Sequence, residues 1–301
     1  MKSLTPSALK KGDTIGVMST SCWLDEKDLM TAKTFIEAKG YKVFIHPQAT
    51  CRHHQSAGTA EQKISAFHDL IRDTNIKAII GARGGNRAIT MLDKIDTDLV
   101  RNNPKIIMGY SDMTGMLNGL HAQTGIITFH GPLFREWPKR KEFPQLLSML
   151  EGGQTTIDLP GATYVHQGTA EGTLLGGNLS VFQTLLGTRF LPDLGGAILC
   201  LEDVGDHLSR YDRMLAHLRA SGVLEKISAL IIGDFTEVED DKDRPFGFTL
   251  EDIIREHTAG LNIPVIVNAP FGHGDNLPVF PIGCRARLNG MTLTLLEKPV
   301  Q

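Results

Sequence analysis

Short apolar runs alternate with helix-patterned segments through the first half of the chain, and few architectures accept that pattern. The runs are "TIGVMST" (14–20), "KVFIHP" (42–47), "AIIGARGG" (78–85), "KIIMGY" (105–110) and "GIITFHGP" (125–132). Their apolar residues are consecutive rather than alternating, so each strand hides both faces, as strands do in a parallel sheet covered by helices. Helical spacing falls between them, near 25–39, 60–73, 87–101 and 112–123. The pattern predicts an α/β domain over 1–150 with a doubly wound parallel sheet.

From about 136 the periodicity fades into proline, glycine and charge, which predicts a linker over 151–167 and a second domain over 168–301. Strand-like runs return there in "EGTLLGGN", "GAILCLEDV", "ALIIGDF" and "IPVIVNAPFGHG", with helices expected near 178–187, 207–220 and 250–258. The closing stretch alternates around Asn289-Gly290, the strongest short signal for a hairpin.

Composition removes several function classes. With 41% hydrophobic and 22% charged residues the 301-residue chain reads as a soluble globular protein. A net charge of -3 offers no footprint for nucleic acid. No apolar stretch approaches the roughly 20 residues of a membrane span, and the N-terminus lacks the apolar core of a signal peptide. The four cysteines form no CxxC pair, which predicts neither a disulfide framework nor a zinc site and fits a reducing, cytoplasmic setting. Cys51, His53 and His54 in "CRHH" lack the i,i+4 spacing of helical metal ligands, so no metal is expected there. No cofactor is expected either, because "GARGGNR" is neither GxGxxG nor a GK[ST] loop.

The chemistry concentrates at strand ends. In "MGYSDMTGML" (108–117) an apolar run gives way to a helix, with Ser111 at the junction. Serine there is a favoured N-cap. The same turn also resembles a nucleophile elbow, which lifts a hydroxyl to the carboxyl edge of a parallel sheet, where ligands bind. The second glycine of such an elbow is replaced by Met113. Gly84 and Gly85, ending the preceding strand, permit close backbone approach and free N–H groups for an oxyanion or a phosphate. A serine nucleophile needs a base, and the base an orienting acid. Of eleven histidines, His130 and His273 follow apolar runs; for the acid, Glu202 and Asp203 emerge at the end of another.

Taken together, these segments resemble the LD-carboxypeptidases, serine peptidases of murein recycling. "GDTIGVMSTS", "ARGG", "GYSDMT", "TFHGP", "EGTLLGGNLSVFQTLLGT", "LEDVGDHLSRYDRML" and "NAPFGHGDNLPVFPIG" match family motifs in order along the whole chain. The resemblance implies a parallel-sheet N-terminal domain, a smaller β-rich α/β C-terminal domain, and a site between them. It also implies a triad with Ser111 as nucleophile, His273 as general base and Glu202 as the residue orienting it, without metal or cofactor. The amides of Gly85 and Asp112 would face the oxyanion. The implied substrate is a murein tetrapeptide losing its terminal D-alanine, with a homodimer as the family's habit. Asn86 and Arg87 stand where the family often has an aromatic residue and a glycine. Arg83 and Arg87, flanking the glycine turn, are the expected partners of the substrate carboxylate, since arginine matches its two oxygens. The nearest alternative is an immunity enzyme hydrolysing peptidyl or aminoacyl adenylates such as processed microcin C. Those relatives tend to be longer, with an extra loop. A non-catalytic ligand-binding module is the alternative of another class.

Overall fold

The computed structural model describes residues 3–301. In the first half β1 (Thr14–Met18), α1 (Glu26–Glu37), β2 (Lys42–Ile45), α2 (Ala60–Arg72), β3 (Ile76–Gly81), α3 (Thr97–Asn102), β4 (Ile106–Gly109), α4 (Thr114–Thr124), β5 (Thr128–His130) and α5 (Phe143–Leu150) follow in order. In the second half come β6 (Thr156–Asp158), β7 (Thr163–His166), β8 (Ala170–Asn178), α6 (Leu179–Phe182), β9 (Ile198–Val204), α7 (Leu208–Ala220), β10 (Ala229–Thr236), α8 (Leu250–Thr258), β11 (Val265–Val267), β12 (Phe280–Ile282), β13 (Arg285–Asn289) and β14 (Thr292–Leu295).

The first sheet runs β12-β5-β4-β3-β1-β2, with β2, β1, β3, β4 and β5 parallel. This is the doubly wound order 2-1-3-4-5, whose switch point lies between β1 and β3. Every residue of β4 is buried, as the unbroken apolar run requires. The second sheet is mixed, β6-β14-β13-β8-β9-β10-β11-β7, with a parallel centre of β8, β9, β10 and β11. Its β9 is buried through Asp203, so two carboxylates lie inside a strand core.

The expected helix over 87–101 is interrupted. Residues 88–94 form a 3-10 segment, and Asp96 then accepts the Leu99 amide at 2.9 Å, capping α3 as a separate helix. The 151–167 stretch is no linker. It supplies β6 and β7, the two opposite edges of the second sheet. β6 alternates over only three residues and β7 buries none of its four, so neither carries the sustained alternation that reveals longer strands. The boundary expected at 168 is crossed a second time by β12, which adds antiparallel to β5 and buries Phe280 and Ile282 against the first sheet. The closing hairpin forms, with Gly290 and Met291 as its loop; Gly290 has φ +62°, as the first central residue of a type II′ turn requires. Among the described residues no helix is long and apolar enough to cross a membrane.

Candidate active site

The carboxyl ends of β3 and β4 shape the site. Gly81 and Gly109 leave room for the Met113 thioether, which a side chain at either position would strike, and the turn after β4 therefore seats directly on the sheet. Tyr110 is extended, Ser111 has φ +60°, and a 3-10 turn over Ser111–Met113 leads into α4. A left-handed serine is uncommon and costs on the order of 1–2 kcal/mol. The strain presents the side chain rather than capping with it: neither the 3-10 turn nor α4 receives a side-chain cap. The capping reading of Ser111 is not realised.

Ser111, Gly84, Gly85, Arg83, Arg135 and His273 line one cavity of about 230 Å³, together with Cys22 and Tyr110. Gly84 approaches so closely that a Cβ there would stand 3.2 Å from the Ser111 hydroxyl oxygen. Gly85 has φ +137° and packs on Cys22, whose sulfur occupies the space a side chain would need. Only glycine fits that turn. The amide of Asp112 belongs to the first turn of a helix, where N–H groups lack intrahelical acceptors. Its side chain turns inward, accepting from Ser21 Oγ at 2.5 Å and the Ala88 amide at 2.8 Å. Arg87 lies elsewhere. It lines a separate depression with His53, Thr59 and Lys63, because its left-handed backbone (φ +80°) turns the chain away after the glycine pair. A larger cavity of about 740 Å³, beside α5 and β6, holds none of Ser111, Glu202 and His273.

His273 comes from the loop after β11. Phe271 bonds the Ala269 carbonyl and Asp234 bonds that of Phe271, at 2.8 and 2.7 Å, which tethers the loop to the end of β10. Gly272 has φ +125° and lies against Glu202. The two side chains meet at 2.6 Å, His273 Nδ1 to Glu202 Oε2. Glu202 is wholly buried, and among the described residues its other oxygen accepts no hydrogen bond. Asp203, its neighbour on β9, faces the other way and accepts from Asn178, Ser180 and its own strand, so it braces the start of α6. Of the two candidate acids, Glu202 alone contacts a histidine of the cavity.

Burial raises the pKa of Glu202 above the ordinary carboxylate value, while the hydrogen bond and charge of His273 oppose that rise. On His273, burial works to lower the pKa, yet the bond and charge of Glu202, with Asp203 and Glu136, lift it above its usual value. With Nδ1 donating to the carboxylate, Nε2 is left as an acceptor, the tautomer a general base needs. His130 is unlike it. Burial first, and the His273 charge second, push its pKa down to about 3, and neither ring nitrogen has a hydrogen-bond partner among the described residues. It packs edge-on to Tyr110, Phe271 and Phe280 as a neutral aromatic element of the core.

Two residues of the cavity wall escaped sequence reasoning. Arg135 makes no ion pair or side-chain hydrogen bond among the described residues, and Glu136 accepts from Tyr110 Oη at 3.0 Å. Both sit where periodicity had faded, with only their closeness to "TFHGP" as a signal.

Residues 15–131 match the LD-carboxypeptidase N-terminal domain and residues 171–288 the LD-carboxypeptidase C-terminal domain. The chain belongs to the LD-carboxypeptidase family. It is 33% identical over 292 residues to a Bacillus subtilis protein named "Probable murein peptide carboxypeptidase", covering 94% of this chain and 91% of that one. A structure of muramoyltetrapeptide carboxypeptidase from Oxalobacter formigenes superposes with TM-score 0.86 at 26% identity, over 95% of this chain and all of that one. The microcin C7 self-immunity protein MccF of Escherichia coli is 27% identical, covering 95% and 93%. Family membership makes the protein a carboxypeptidase of the serine class, with a two-domain α/β fold.

Proposed function

We propose that the protein is a serine LD-carboxypeptidase that removes the terminal D-alanine from murein tetrapeptides. What supports this most is that His273, bonded to the buried Glu202, opens into the same cavity as the strained Ser111. His273 Nε2 takes the Ser111 proton as Oγ attacks the carbonyl between the L-centre and the D-residue. The oxyanion then faces the amides of Gly85 and Asp112. Collapse breaks the C–N bond, and the imidazolium returns its proton to the leaving D-alanine nitrogen. Water, deprotonated by His273, releases the acyl group and restores Ser111.

An exopeptidase also needs a cation for the terminal carboxylate. Arg83 and Arg135 line the cavity, whereas Arg87 does not. Because one Arg83 Nη already donates to the Trp23 carbonyl at 3.2 Å, Arg135 takes the main role in this reading. Three of the four cysteines are buried and all are free, which suits a reducing compartment and a role in cytoplasmic peptidoglycan recycling.

The test is incubation with murein tetrapeptides carrying diaminopimelate or lysine at the third position, reading product masses, alongside labelling by a fluorophosphonate. Loss of one alanine and labelling at Ser111 are expected, with the all-L analogue left intact. A binding module would show neither. The 27% identity to MccF supports a second reading, hydrolysis of aminoacyl adenylates; preferential cleavage of an aminoacyl sulfamoyl adenylate over the tetrapeptide would transfer the proposal to it.

A further inference from the structure

The loop carrying His273 is gripped from the first half of the molecule by groups that the chemistry above does not use. Arg140 Nη1 donates to the carbonyls of Gly274 and Asp275, the two residues after His273, at 3.2 and 3.3 Å. Its Nη2 donates to Glu136 Oε2 at 3.1 Å. The other oxygen of Glu136 accepts from Tyr110 Oη at 3.0 Å. Tyr110 immediately precedes Ser111, and its ring lies 4.9 Å from that of His273. One ion pair therefore touches both the nucleophile turn and the base loop. The pair is largely withdrawn from water, with side chains 14% and 17% exposed. Partly buried pairs of this kind add little net stability, because desolvation offsets attraction, but they hold geometry.

We propose that Arg140 and Glu136 are positioning residues that set the general base against the nucleophile across the two halves of the chain. The proposal rests on the Ser111–His273–Glu202 reading above. A guanidinium suits the task because its rigid fork can serve two carbonyls and a carboxylate at once. A lysine ammonium, a point donor on a flexible stem, cannot hold that arrangement. Positioning matters because a shift of about 1 Å between reacting groups costs on the order of 100-fold in rate.

The titratable and charged groups around His273 are Glu202 from β9, with the charge of Asp203 behind it, Asp234 from β10, Tyr110 after β4, His130 from β5, and Glu136 with Arg140 from the segment after β5. Glu136 adds negative charge near the imidazole, so removing it lowers the His273 pKa, an effect that a merely structural residue would not produce.

Three variants, Arg140→Gln, Arg140→Lys and Glu136→Gln, are compared with wild type by kcat and KM on the tetrapeptide and by an NMR pH titration of the His273 ring. Arg140→Gln is expected to lose roughly 10- to 100-fold in kcat, with KM within about threefold, and Arg140→Lys to recover only part of it. Glu136→Gln is expected to move the His273 titration to lower pH. If wild type cleaves the tetrapeptide while both Arg140 variants keep its kcat, the proposal is overturned, whatever Glu136→Gln does to the His273 titration. If wild type cleaves nothing but the variants still alter the His273 signals, the substrate reading fails and the positioning role stands.

Discussion

Replacing Glu202 by glutamine tests the site at its most buried point. The change is nearly isosteric and leaves no cavity, yet it alters the hydrogen bond that orients the His273 ring, the 2.6 Å bond from Nδ1. Two outcomes bracket its size. If the new amide presents its oxygen, the tautomer survives and only the charge opposing the imidazolium is lost. Two unit charges about 4 Å apart interact by about 4 kcal/mol at an effective dielectric near 20, or roughly 10³ in rate. If the amide presents its nitrogen, Nδ1 must become the acceptor and Nε2 carries the proton that a base must lack. Loss of the orienting acid then costs about 10⁴, or some 5.4 kcal/mol at 1.36 kcal/mol per tenfold. Among the described residues no hydrogen bond to the second oxygen of Glu202 selects between these orientations. The expected fall in kcat is therefore between about 10³ and 10⁴. Stability should hardly change, since removing a wholly buried carboxylate also removes its desolvation cost. Tetrapeptide turnover by chromatography, with thermal unfolding on the same material, separates the two effects. A folded Glu202→Gln variant retaining more than about a tenth of wild-type kcat would refute the reasoning.

Three further outcomes follow from the same geometry. Ser111→Gly should abolish labelling and turnover while leaving the melting temperature at or slightly above wild type, because relief of about 1–2 kcal/mol of left-handed strain outweighs about 0.5–1 kcal/mol from the freer unfolded chain; a clear fall in melting temperature would show that the turn is unstrained. Arg135→Gln should cut kcat/KM on the tetrapeptide acid by about 10- to 150-fold, the worth of one charge-assisted bond at about 1.5–3 kcal/mol, and should barely affect the C-terminal amide; equal losses on both substrates would remove Arg135 from carboxylate recognition. For pH, the proposed mechanism needs His273 neutral, and its pKa is raised in the folded protein, so kcat/KM should fall as pH drops through a value above the ordinary 6.5 or so. An acidic limb below that point would contradict the Glu202 contact.

Much of this arrangement is legible in the residues alone, for identifiable reasons. Continuous apolar runs such as "KIIMGY" announce strands buried on both faces, and β4 is buried at every position. Strand-to-helix junctions follow from them, so the sequence alone puts Ser111, Gly84 and Gly85 at one sheet edge. Glu202 and Asp203 stood out together because a carboxylate at the end of a buried run demands a partner; only the family resemblance favoured Glu202. Short edge strands are another matter. β6 and β7 have three and four residues with exposed faces, and pairing with β14 and β11 rather than intrinsic pattern makes them strands. β12 likewise gains its place from β5, a contact between segments about 150 residues apart that no local spacing encodes.

The arginines show the same limit more sharply. Arg87 looked well placed because it is two residues from Gly85 in the chain, but one left-handed residue sends it to another face. Arg140 lay in the charged stretch that fades from about 136 and Arg135 just before it, and "FREWPKRK" carries neither period. Their roles depend on where the chain returns more than 130 residues later, when the His273 loop settles against Arg140. Proximity along the chain is informative for groups borne by one turn, as with Ser111 and the amide of Asp112. It is uninformative for groups recruited across the two halves, where the meeting of distant segments decides which charge faces the substrate and which holds the base. Charged residues in a stretch without periodicity, just after a strand that ends at the site, therefore warrant a place among the candidates alongside those that sit in recognisable motifs.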